Sequence, residues 1–116
     1  MTVTEHGIPH VVAKDWGSLG YGSGWALAQA QPCNGLDVIV TGRGQRSRWF
    51  GPSARFDDQV SMKGTNLEID TLVTDLHNRK VVENLLVSKA GPTSRTRTMV
   101  RGYAAGITAW LRSHTV

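Results

Sequence analysis

Apolar positions along the chain mark two helical stripes before anything else. Ile69, Leu72, Val73 and Leu76 follow the i, i+3, i+4, i+7 spacing of an amphipathic helix, and Val82, Leu85 and Leu86 stand where they would extend it. Asp75 and Arg79, four positions apart, add an ion pair along its surface. Val100, Tyr103, Ile107, Trp110 and Leu111 form the second stripe, in a helix from about Ser94 to Ser113 whose other side is thinned by Gly102 and Gly106. Between the two helices Lys89-Ala90-Gly91-Pro92 is a stop, with Gly91 suited to end one helix and Thr93 or Ser94 to cap the next.

The N-terminal stretch from His6 to Ala30 changes pattern halfway. Gly7 and Pro9 bracket a turn, and the β-branched Val11 and Val12 suit a half-buried strand. Asp15 stands at an N-cap position, and a helix follows from Trp16 to Ala30. Gly17, Gly20, Gly22 and Gly24 lie inside it, each unfavourable by roughly 1 kcal/mol against alanine. Gly20, Gly24 and Ala28 share one side, and Leu19, Ser23 and Leu27 the neighbouring row. A slim side of this kind admits another backbone, so the expectation is a buried helix packed on a sheet. A phosphate-binding loop is the weaker reading of Gly20-Tyr21-Gly22, because Trp25 stands where the pattern needs a third glycine and no P-loop lysine follows.

The middle of the chain is less regular. Pro32 and Asn34 interrupt the first helix, and Leu36, Ile39 and Val40 resume an apolar spacing that reads as a helix from about Gly35 to Thr41, or as a strand through Val38, Ile39 and Val40. Gln45 to Gly51 reads as a turn that pins Trp49 and Phe50 inward while Arg46 and Arg48 stay in water. Pro52 to Asn66 is polar and broken, the longest loop, with Asp57-Asp58 as a turn rather than a carboxylate dyad. The fold class is therefore α+β, an N-terminal β-strand pair followed by mostly helices, in a single domain over residues 1–116.

Composition narrows the function classes. With 40% apolar and 19% charged residues the chain is that of a globular protein, and no apolar run nears the roughly 20 residues that cross a bilayer, so no membrane partner is expected. Met1-Thr2-Val3-Thr4-Glu5 has neither the basic start nor the apolar run of a signal peptide. The net charge of +4 is carried in part by two groups, Arg43, Arg46, Arg48 and Arg55 around Trp49 and Phe50, and Arg95, Arg97 and Arg101. Arginines beside aromatics suit phosphates and bases, which makes a small basic nucleic-acid-binding protein the alternative function. No nucleic-acid motif accompanies the charge, so a solvated surface or pairing with a partner's carboxylates is the preferred reading.

Catalytic constellations are sparse. His6, His10, His77 and His114 do not fall at zinc-ligand spacing, and they read as strand-edge or surface histidines rather than metal ligands. Cys33 is the only cysteine, and nothing local pairs it with a histidine as a nucleophile. Left single, it reads as a buried free thiol, a common small core residue. Removal of Met1 would make Thr2 an N-terminal nucleophile, but no oxyanion partners accompany it. No catalytic, substrate-binding or metal-binding residue is assigned, and no cofactor is implied.

An ordered set of motifs goes further. Gly7-Ile8-Pro9-His10-Val11-Val12-Ala13-Lys14-Asp15, Gly17-Ser18-Leu19-Gly20-Tyr21-Gly22-Ser23-Gly24-Trp25-Ala26, Ala28-Gln29-Ala30, Arg43-Gly44-Gln45-Arg46-Ser47-Arg48-Trp49-Phe50-Gly51 and Met99-Val100-Arg101-Gly102-Tyr103-Ala104-Ala105-Gly106-Ile107 resemble the opening of the penicillin acylase family. Within it, the motifs resemble those of the acyl-homoserine lactone and aculeacin-type cyclic lipopeptide acylases. The resemblance implies an N-terminal nucleophile hydrolase of αββα architecture, cut from one precursor into α and β chains. Its members hydrolyse the amide between an acyl group and an amine such as a homoserine lactone, a lipopeptide or a β-lactam nucleus. The nucleophile is the N-terminal serine of the β chain, whose own α-amino group serves as base, and the oxyanion donors also come from β.

The resemblance makes this chain the first part of α, a scaffold whose partner is the serine-led β subunit and whose small-molecule acyl amide is reached only through the complete enzyme. A secreted or periplasmic parent is implied, and an inactive remnant of an acylase is a further alternative. The sequence departs from the family pattern at Gln31-Pro32, where an acidic residue usually precedes the cysteine, and the family's second cysteine lies further along α than Val116.

Overall fold

The computed structural model describes residues 1–114. They fall into two compact units, one made of residues 1–35 with the segment from residue 92 onward, the other of residues 36–91.

In the first unit β1 (Thr2–Val3) pairs antiparallel with β2 (Pro9–His10), Thr2 opposite His10 and Val3 opposite Pro9. Thr4 N–H donates to Ile8 O, Gly7 N–H donates to Thr4 O, and Gly7 sits at φ +76°, a left-handed conformation that glycine adopts without strain. The strand pair and its turn are as expected, but the strand ends before Val11 and Val12. Val11 lies on Gly22, where a Cβ would come within 2.5 Å of it, and Val12 is 93% exposed.

Helix α1 (Trp16–Ala30) starts at Asp15, whose Oδ1 accepts from Ser18 N–H at 2.7 Å and whose Oδ2 accepts from Ser18 Oγ–H at 2.8 Å. Both donations favour the charged carboxylate and hold its pKa below the ordinary aspartate value. Its glycine side packs on a helix, not on a sheet. The partner is α6 (Ser94–Ser113), capped by Thr93, which accepts from Thr96 N–H at 3.3 Å. A Cβ at Gly20 would stand 2.0 Å from Met99 O, one at Gly24 2.1 Å from Tyr103 O, one at Gly102 2.1 Å from Gly17 O and one at Gly106 2.0 Å from Tyr21 O. Two-residue strands offer no face to cover, whereas α6 carries a matching pair of glycines four apart. The glycine side of α6 is the inner one; of its apolar stripe, Val100 is exposed and Ile107, Trp110 and Leu111 are half-buried.

Helix α2 (Pro32–Gly42) carries the chain into the second unit. It starts three residues earlier than its apolar spacing indicates, because proline at a first helical position lacks only an N–H that would be unpaired there anyway. The second unit holds α3 (Arg46–Phe50), β3 (Arg55–Asp57), β4 (Lys63–Thr65), α4 (Asn66–Asn78) and α5 (Val81–Val87). The stretch read as the longest loop thus contains an antiparallel hairpin, Arg55 opposite Thr65 and Asp57 opposite Lys63. Its turn is built by Asp58, whose Oδ1 accepts from the N–H groups of Val60, Ser61 and Met62 and whose Oδ2 accepts from Ser61 Oγ–H. The Ser61 hydroxyl foremost, then those N–H groups, hold the Asp58 carboxyl far below the usual range. The doublet is a turn, as expected.

Helix α4 opens with a capping box. Glu68 N–H donates to Thr65 Oγ1 at 3.2 Å, and Thr65 N–H donates to Glu68 Oε2 at 2.7 Å. The stripe of α4 does not run on into α5 as one helix, since Lys80 at φ 52° breaks it. Asp75 and Arg79 form the expected pair at 2.7 Å. Few apolar side chains are buried: Ala26 and Ala28 in one unit, Ile69 and Val73 in the other, among the described residues. No described helix is long and apolar enough to cross a membrane.

Candidate functional site

The most organised polar site lies in the second unit, around a side chain expected to sit in water. Arg46 is 7% exposed. Its Nη1 donates to Asp37 Oδ1 at 2.7 Å and to Thr41 Oγ1 at 2.8 Å, and its Nε donates to Asn66 Oδ1 at 2.9 Å. The guanidinium carbon lies 3.9 Å from the Phe56 ring centroid and 5.0 Å from that of Phe50. The site draws on α2 for Asp37 and Thr41, α3 for Arg46, β3 for Phe56 and α4 for Asn66. Burial of a cation is tolerable only when its donors find acceptors, and here Nε and Nη1 find three.

A second layer holds the backbone of α3. Asp70 accepts from Arg46 N–H at 2.9 Å with Oδ1 and from Ser47 N–H at 2.7 Å with Oδ2, pairing the first two amides of a helix too short to be stable alone. Burial pushes the Asp70 carboxyl up, but the Ser47 and Arg46 amides and the Arg46 charge outweigh it, and the net shift is downward. Asn66, 1% exposed, gives its Nδ2–H to Gly51 O at 2.8 Å and so ties the end of α3 to the start of α4. The carboxylates and amide of this cluster are thus taken up by Arg46 and by the α3 backbone, which fixes its geometry, and Ser47 Oγ, buried beside them, is the one fully buried side-chain oxygen or nitrogen there without a hydrogen-bond partner among the described residues.

The segment expected as a turn is a short helix, and its sides are reversed at three positions: Arg46 is inside, while Trp49 and Phe50 are 63% and 50% exposed; Arg48 stays in water as expected. The physical reason lies outside the segment, in the acceptors Asp37 and Thr41 that α2 brings to the guanidinium and in Asn66 of α4, 20 residues away in the chain. One signal was readable, since Thr65-Asn66-Leu67-Glu68 spells a capping box and fixes where α4 begins. The basic and aromatic strip is also split, because Arg46 is withdrawn from it while Arg43, Arg48 and Arg55 stay exposed. That weakens the nucleic-acid alternative.

The other residues singled out in the sequence are dispersed. His6 lies 3.4 Å from Glu5 on the surface, and His10 sits in β2. His77 Nε2 is 2.8 Å from Gly42 O. His114 stacks on Trp110 at 4.4 Å and meets Trp25 edge-on at 6.3 Å. Asp57 pairs with Lys63 at 3.1 Å. Among the described residues no three His, Cys, Asp or Glu side chains gather as a metal site. Cys33 is a free thiol and exposed, so the buried-thiol reading does not hold. Thr2 lies exposed in β1 behind Met1.

The first unit offers surface rather than chemistry. An open groove of about 530 Å³ is lined by Pro9, Val11, Leu19, Ala26, Leu27 and Ala30, with Ser23 and Gln31 as its polar groups. Ser23 Oγ–H already donates to Leu19 O at 2.8 Å.

Comparison with known proteins gives these features a setting. The penicillin amidase family model matches residues 1–116. Aculeacin-A acylase of Actinoplanes utahensis is 34% identical over 108 residues, 93% of this chain and 13% of that protein. Acyl-homoserine lactone acylase PvdQ of Pseudomonas putida is 38% identical over 103 residues, 89% of this chain and 12% of that protein. The PvdQ of Pseudomonas syringae pv. tomato is 36% identical over 112 residues, 97% of this chain and 14% of that protein. The chain thus spans 12–14% of the length of these relatives.

Proposed function

Because the chain belongs to the penicillin amidase family along its whole length, we propose that it is the N-terminal scaffold portion of an acylase α subunit. The enzyme it serves hydrolyses the C–N bond of a linear amide between an acyl chain and an amine, with a homoserine lactone, a lipopeptide or a β-lactam nucleus as the amine side. The relation to an aculeacin-A acylase and to acyl-homoserine lactone acylases supports the first two. In this reading a serine at the N-terminus of a β chain attacks the amide carbonyl while its own α-amino group takes the proton. The present chain supplies no reacting group, completes the αββα fold with its β partner, and belongs to a secreted or periplasmic enzyme.

One observation carries the reading: the identity runs through 89–97% of this chain yet touches only 12–14% of the relatives. The surface agrees with it. Val12, Val38, Val60 and Val87 are each at least 70% exposed, and α5 buries none of its residues, which suits a segment covered by further polypeptide.

The test is a deletion and rescue. An Actinoplanes utahensis aculeacin-A acylase precursor without its equivalent segment should lose hydrolysis of a long-chain acyl amide, and restoring the segment as this chain, fused in frame, should recover it. Equal hydrolysis by the precursor with and without the segment would overturn the scaffold reading. Normal assembly of the fusion with no hydrolysis would point to an inactive remnant.

A further inference from the structure

The five residues of α3 are arranged inside out. Arg46 is 7% exposed, while Trp49 is 63% exposed. The helix is not free to roll over and bury the indole. Asp70 holds the amides of Arg46 and Ser47, three side-chain oxygens hold the guanidinium, and Asn66 holds Gly51 just past the helix end. Trp49 is thus presented outward from a fixed backbone.

Charge points to what covers it. The Arg48 guanidinium carbon lies 5.7 Å from the Trp49 ring centroid, and among the described residues Arg48 is in no ion pair. Every carboxylate of its own unit but Glu83 on α5 is already engaged, and Glu83 makes no ion pair with Arg48: Asp37 is held by Arg46, Asp57 by Lys63, Asp75 by Arg79, Asp58 and Glu68 by backbone caps, and Asp70 by the α3 amides. A rigid indole with an uncompensated guanidinium against it has the composition of an interface hot spot, where Trp and Arg are enriched and little side-chain entropy is lost on docking. The apolar body asks for a pocket, and the cation asks for a carboxylate at its rim.

We propose that Trp49 and Arg48 form the anchor by which this segment docks on the remainder of the acylase polypeptide, Trp49 entering an apolar pocket and Arg48 pairing with a carboxylate on its rim. The proposal rests on the acylase reading for the identity of the occupant, since the chain spans 12–14% of the relatives it matches.

Hydroxyl-radical footprinting of the longer acylase polypeptide, read by mass spectrometry, compares Trp49 oxidation in the native protein and in concentrated urea. Protection of about tenfold or more is expected for an indole in a dry interface core. Protection below about twofold, as suits the exposure seen in this segment, would overturn the anchor. Arg48→Glu should lower the urea midpoint at which the segment is released and Arg48→Lys should largely restore it, while the same charge reversal at Lys14, exposed in the first unit, should leave it unchanged. A midpoint unmoved by Arg48→Glu would remove the rim carboxylate from the proposal. Failure of acyl-amide hydrolysis would sink the acylase reading and leave the footprint to decide the anchor. Trp49 protection that appears only on adding single-stranded RNA, and fades with salt, would replace the anchor by a nucleic-acid contact.

Discussion

In the first unit α1 and α6 meet where side chains are missing, and in the second α2, α3 and α4 meet around a side chain that carries a charge. Neither has many large apolar groups inside, and each makes up the shortage differently. Glycine lets two backbones approach until dispersion between main-chain atoms does the packing, with no direction beyond shape. The buried arginine works through direction, as each donor needs an acceptor at one distance and angle. The glycine contact is therefore sensitive to volume and holds no titrating group of its own, the acid-sensitive Asp15 lying outside it at the start of α1, whereas the second arrangement is sensitive to charge.

The largest effect should come from adding bulk to the glycine contact. Gly24→Leu places carbon on Tyr103 O, a backbone atom that cannot swing aside, and should cost about 3 kcal/mol or more. Urea unfolding followed by Trp fluorescence would measure it, and a loss under about 1 kcal/mol would show that α6 can slide away freely. Arg46→Met should follow at about 2 kcal/mol, because Asn66 and Thr41 keep their burial and lose their donor, while the methionine still fills the space between the rings. The same change in volume at Gly24 would be far worse, which is the contrast in its sharpest form.

Acid should separate the units in the same sense. The folded-state pKa of Asp70 is depressed below the ordinary 3.8, so its stabilisation is complete above that value and is lost as pH falls through and below it. Amide exchange at Arg46 and Ser47 should accelerate as pH falls through and below the ordinary 3.8, while the Gly24 amide, well past the Asp15 cap of α1, keeps its protection. Parallel loss in both places would show that the second unit does not respond separately. Thr65→Ala, which removes one half of the capping box, should cost about 1 kcal/mol by thermal unfolding. Gly42→Ala is the smallest change. Nothing lies within 4 Å of a Cβ there, so removing backbone freedom should stabilise by about 0.5 kcal/mol and raise the melting temperature slightly.

How much of this was legible follows the same division. The bounds of α1 and α6, the caps at Asp15 and Thr93 and the glycine side of α1 can be read from local chemistry, because a cap or a missing Cβ acts within a few residues. That the glycines face α6 instead of a sheet depends on residues about 80 positions away and on no periodicity within α1. The strands Arg55–Asp57 and Lys63–Thr65 are too short to show alternation, and they exist because the Asp58 side chain organises the turn between them. Arg46 reads as a surface residue because arginine usually is one, and only the acceptors on α2 and α4 reverse that. The anchor at Trp49 was hidden for the same reason. An aromatic beside arginines reads as core until the arginine takes its place.

The insertion of one unit within the other sets an order of synthesis. Residues 36–91 leave the ribosome ahead of α6, so the arginine-centred unit can form while α1 still waits with its glycine side uncovered. Domains commonly fold as they emerge, and a folded insert holds its own two ends at a fixed distance. The long loop that α6 must otherwise close is thereby shortened, and the entropy of closing it is reduced. A fault in the Arg46 cluster would then delay the pairing of α1 with α6, even though no atom of that cluster belongs to either helix.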